Sequence, residues 1–74
     1  MSITQELDDL ASEYRKLRQV GFTGYYQMEQ AKKIGKDLFK EGGNKKMHDT
    51  CMNVSEDTEG FLNAAWDGIG HWVA

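Results

Sequence analysis

His48 and Cys51 stand three residues apart, with Met47 and Met52 beside them, a spacing that brings an imidazole and a thiol to one side of a helix. Sulfur and imidazole ligands suit copper(I) or zinc. Two ligands do not complete a site, and Cys51 falls on an apolar stripe where a free cysteine packs as a small hydrophobe, so core packing is its expected role. Paired carboxylates occur at Asp8-Asp9 and Glu56-Asp57. General acid-base catalysis needs such groups within reach of their reacting partner, and both pairs fall on expected solvent faces of their helices. Asp8 and Asp9 are accounted for by the macrodipole of the helix whose first half they occupy. The chain is therefore expected not to be an enzyme, and no catalytic, metal-binding or cofactor-binding residue is assigned.

Charge is segregated along the chain. All nine Lys and Arg lie between residues 14 and 47 with three acids, whereas residues 1–13 carry four acids and residues 48–74 five, neither with a base. Arg15, Arg18, Lys32, Lys33, Lys36 and Lys40 form a candidate basic patch, the footprint a nucleic-acid surface would require. Against that reading, the last helix would have to enter a groove with Lys45 and Lys46 followed by five acids. In the simpler reading, a basic middle helix lies between two acidic-ended ones, and opposite charges steer antiparallel packing. A nucleic-acid binder should merge the lysines of helix two and the arginines of helix one into one positive face, whereas a protein-interaction module should expose an apolar or aromatic patch.

Aromatic residues supply that second candidate. Phe22, Tyr25 and Tyr26 gather beside a glycine-flanked turn, and tyrosines are enriched at interfaces because the ring binds while the hydroxyl stays wet. Phe22 serves equally well as a plug for the end of a bundle. Trp66 and Trp72 join the candidate interface, but the returning tail is expected to leave both at least half buried, since each gains roughly 2–3 kcal/mol when buried against its own chain.

The elements that position these residues follow from periodicity. Ile3, Leu7, Leu10, Ala11, Tyr14 and Leu17 share one stripe of a 3.6-residue repeat. Ser2 is suited to cap its start, basic residues crowd its end and Gly21 suits its stop, which defines helix one over Ser2–Gln19. Helix two begins after Thr23, a candidate cap, and ends at Gly42-Gly43. Gly35 sits on its apolar face, a position that predicts close approach by another helix backbone. Met47, Cys51, Val54, Thr58, Phe61 and Ala65 repeat every three or four residues, which predicts a third helix over Asn44–Trp66 with Asn44 as its cap. At roughly 34 Å it would exceed its neighbours by about 8 Å and overhang them; Ser55, a second candidate cap, and Gly60 leave open whether the helix runs through or breaks between them.

The chain has 74 residues, no proline, one cysteine and a net charge of −3. A domain this small buries only about 60% of its unfolded surface. With no disulfide partner for Cys51, stability must come from helix packing or from a second copy covering the overhang, so a homodimer is expected. The acidic start and the lack of a long apolar run argue against a signal peptide or a membrane span and favour a cytoplasmic location.

The run Ala65-Trp66-Asp67-Gly68-Ile69-Gly70 with Trp72, preceded by Ile34-Gly35, Leu38, Gly42-Gly43, Met47 and Val54, resembles small bacterial proteins of unknown function that end in a Trp-Asp-Gly-Ile-Gly-x-Trp signature. The likeness covers about residues 34–72. It implies a helical fold and a bacterial or phage origin, and it carries no activity. Together these readings predict an all-α, three-helix bundle with a glycine-rich tail folded back on it. Its expected role is as an interaction module for an unknown protein partner.

Overall fold

A computed structural model describes residues 2–72, in which three helices pack on one another: α1 (Ile3–Gln19), α2 (Tyr25–Cys51) and α3 (Glu56–Trp66). The fold is the expected all-α bundle. α1 begins where the Ser2 Oγ accepts the Gln5 N–H at 3.1 Å. It ends in a Schellman stop, with the Phe22 N–H on the Leu17 carbonyl at 2.9 Å and the Gly21 N–H on the Arg18 carbonyl at 3.2 Å. Leu7 and Ala11 are its buried residues, flanked by the partly buried Leu10 and Tyr14.

α2 departs from expectation at both of its glycine sites. Gly24, rather than Thr23, is its N-cap residue, with a φ of 70° and no side-chain cap. Gly42 and Gly43 do not end the helix but bend it. Their dihedrals (φ −153°, ψ 17° and φ 69°, ψ −163°) interrupt the helical path before it resumes to Cys51. A straight helix of 27 residues would run about 40 Å, which exceeds the longest dimension of the molecule, 36 Å. The bend returns Met47 and Cys51 to the core.

The uninterrupted third helix over Asn44–Trp66 does not form. The chain leaves α2 after Cys51, and Ser55 caps a new helix by accepting the Thr58 N–H at 3.3 Å. Asp8 of α1 reinforces that start. Its Oδ1 accepts the Thr58 hydroxyl at 2.6 Å and the Ser55 N–H at 3.3 Å, so a carboxylate sits at the positive end of the α3 dipole. With the helix divided, the overhang expected of an uninterrupted third helix does not arise. Most of the seam survives: Met47 and Cys51 before the break and Thr58, Phe61 and Ala65 after it are all buried, because both helical segments pack on one core.

Gly35 receives an indole, not a helix backbone. A Cβ at this position would lie 2.5 Å from the Trp66 Nε1, and that nitrogen donates to the Ala31 carbonyl at 2.8 Å. Beyond α3 the tail folds back, with the Gly68 N–H on the Trp72 carbonyl at 3.1 Å and the Trp72 N–H on the Ile69 carbonyl at 2.9 Å. Asn44, expected to cap a helix, holds this tail. Its Oδ1 accepts the His71 N–H at 2.9 Å and its Nδ2 donates to the Ile69 carbonyl at 3.4 Å.

Candidate functional site

The turn between α1 and α2 carries the largest exposed rings. Val20, Phe22, Tyr25 and Tyr26 are 70%, 63%, 73% and 68% exposed. Their backbone is fixed from both sides, because the Schellman stop holds Phe22 and the Tyr14 ring fills the space beside Gly24. A Cβ on Gly24 would lie 2.6 Å from Tyr14 Cδ1. Tyr14 in turn packs against Phe61 of α3, ring centroids 5.0 Å apart. The aromatic turn is thus tied to the core while its own side chains face solvent. Phe22 does not plug the bundle.

Trp66 and Trp72 leave the candidate interface. Trp66 is wholly buried and Trp72 is 5% exposed. The two meet edge to face with centroids 5.1 Å apart, and the His48 ring stacks on Trp72 at 4.4 Å. They clamp α2, α3 and the tail together, which occupies the ring surfaces a partner would need.

The basic residues divide between two helices: Lys32, Lys36 and Lys40 follow one another at four-residue spacing along α2, and Arg15 and Arg18 lie on α1. Arg15 turns toward α3, where its guanidinium lies 3.6 Å from the Asp57 carboxylate. Among the described residues Lys32, Lys33, Lys36 and Lys40 make no ion pair, and Arg18 is exposed near the turn. Neither ion pair given by the described residues is the expected one between the basic middle helix and its neighbours: Arg15 with Asp57 joins α1 to α3, and Lys45 with Asp49 lies within α2.

Two clefts on the surface bear on function. The larger, about 320 Å³, lies between the start of α1 and α2, with Ile3, Ile34 and Leu38 among its lining residues. Glu6, Asp37 and Glu41 also line it, with Lys33 as the one base. The smaller, about 170 Å³, brings His48 and Cys51 together with Met52, Glu59, Asn63 and Trp72. Among the described residues no three of His, Cys, Asp and Glu group as metal ligands. Burial, helped by the Glu59 charge, pushes the Cys51 thiol above its ordinary value, which keeps it protonated.

The role of Asp8 at the start of α3 escaped the sequence reading because its partners are 47 and 50 residues away. The acid-rimmed cleft escaped it because only antiparallel packing brings Ile3 beside Ile34. No protein-family model matches the chain, and no curated protein or solved structure shows significant similarity to it. No described helix is long and apolar enough to cross a membrane.

Proposed function

We propose that the protein is a non-catalytic interaction module that docks a protein partner through the turn bearing Val20, Phe22, Tyr25 and Tyr26. The observation that carries this reading is an exposed aromatic group on a backbone pinned to the core. Leaving such rings in water forgoes roughly 2 kcal/mol each, and a rigid aromatic surface binds with little loss of side-chain entropy. A bacterial or phage origin and a cytoplasmic location belong to the same reading. They are supported by the tail signature and by one free, buried cysteine.

The experiment is photo-crosslinking in the native host, with a benzophenone amino acid at position 25, 26 or 45. Docking through the turn gives a discrete protein adduct from positions 25 and 26 and none from 45, and the adduct disappears with Phe22→Ser. Equal labelling from all three positions would reject it.

Nucleic-acid binding is the second reading, favoured by Lys32, Lys33, Lys36 and Lys40 on α2, which form no ion pair among the described residues. The engagement of Arg15 with Asp57 weighs against it. Titration with mixed-sequence RNA and DNA near 50 mM salt separates the two, since phosphate contacts weaken steeply as salt rises.

A further inference from the structure

The two ends of the α1–α2 pair are complementary to each other. At one end Val20 and Phe22 project from the turn, with Arg18 and Lys16 on the last turns of α1 beside them. About 25 Å away along α1, the cleft of about 320 Å³ presents apolar Ile3, Ile34 and Leu38, with Glu6, Asp37 and Glu41 outnumbering Lys33. One end is an apolar knob with basic flanks, the other an apolar socket with an acidic rim.

We infer that the occupant of the cleft is the Val20–Phe22 turn of a second copy of this chain. The cleft volume is at the low end for a small-molecule site and has room for one aromatic side chain. Charge selects the arrangement. Turn against turn would oppose Arg18 and Lys16 to themselves, and cleft against cleft would oppose Glu6, Asp37 and Glu41 to themselves, whereas turn into cleft pairs opposite signs. Such a contact uses different surfaces on the two copies, so it is heterologous and propagates into a ring or an open chain.

The turn residues offer roughly 500 Å² of apolar surface, below the usual 800 Å² per partner, so each contact is weak and association is expected in the high-micromolar range. The inference rests on the reading of the turn as a docking surface and adds what the turn docks onto.

Sedimentation velocity of the full chain tests it at low salt. Three proteins are compared: wild type, Phe22→Ser with its turn disabled, and the double variant Glu6→Lys/Asp37→Lys with its cleft disabled. All changes are at exposed positions, and circular dichroism confirms that the helices persist. The weight-average mass of wild type should more than double between about 10 µM and 1 mM. Each variant alone should remain monomeric, and an equal mixture should form a heterodimer that grows no further, since it holds one intact turn and one intact cleft. Monomeric wild type at the top concentration, a mixture that does not associate, or a variant that dimerises alone would each overturn the inference. If wild type is monomeric yet position 25 still crosslinks to another protein in cells, self-assembly fails while the docking surface stands.

Discussion

The Trp66 indole occupies the space a side chain at Gly35 would need, with its Nε1 2.5 Å from where a Cβ would lie. The same nitrogen donates to the Ala31 carbonyl one turn earlier on α2, so the ring is held both by shape and by a directional bond at 2.8 Å. Gly35→Ala should therefore destabilise the protein, because the clash costs about 1–3 kcal/mol and the gain in helix propensity returns only about 1 kcal/mol. Gly60 is the internal control. It is also helical, yet nothing lies within 4 Å of its Cβ position, so Gly60→Ala should stabilise by about 0.5–1 kcal/mol. Urea denaturation of both variants checks the opposite signs.

Asp8 links the pH dependence of stability to the start of α3. Its bond from Thr58, opposed by partial burial and aided by the Ser55 contacts and the Arg15 charge, holds the carboxyl below its ordinary value of 3.8. Because the folded value is the lower one, the unfolded chain binds more protons in this range. The stabilisation is full above about pH 4 and is lost as pH falls through the folded value. Thermal melts from neutral to acid pH should show wild type losing more stability below pH 4 than Asp8→Asn does. At neutral pH, Asp8→Ala should cost about 1–2 kcal/mol.

Asn44 joins the bend in α2 to the tail through the backbones of Ile69 and His71. Removing its amide in Asn44→Ala should cost about 1–3 kcal/mol and loosen Trp72. The measurement is tryptophan emission, which should shift to the red and become more accessible to a neutral quencher while helix content by circular dichroism stays nearly constant.

Cys51 should be slow to react. Its thiol is buried and its pKa is raised from the ordinary value of 9.0. A thiol-specific reagent near pH 8 should modify the native chain at least roughly tenfold more slowly than the urea-unfolded chain.

Helix one was legible from end to end because its cap, stripe, charge polarity and stop all agree. The glycine pair at 42–43 was ambiguous, since two glycines permit either a stop or a bend. Only the return of Met47 and Cys51 to a shared core decides for the bend. Ser55 was visible as a cap, but its advantage over a continuous helix depends on Asp8, a partner that local sequence does not bring close. For the site, the exposed Phe22, Tyr25 and Tyr26 could be named from composition and the burial of both tryptophans expected from the tail, whereas their partners, the Gly35 notch for Trp66 and the His48 ring for Trp72, depended on the packing.

Docking through the turn requires that Tyr25 and Tyr26 be covered when the protein is at work. Tyrosine-directed chemical labelling read by mass spectrometry, performed in native cells and on dilute purified protein, tests it most directly. Occupied docking predicts that Tyr25 and Tyr26 label several-fold less in cells than in dilute solution, while lysine-directed labelling of Lys45 is the same in both. Equal tyrosine labelling in cells and in solution would rule out docking through the turn.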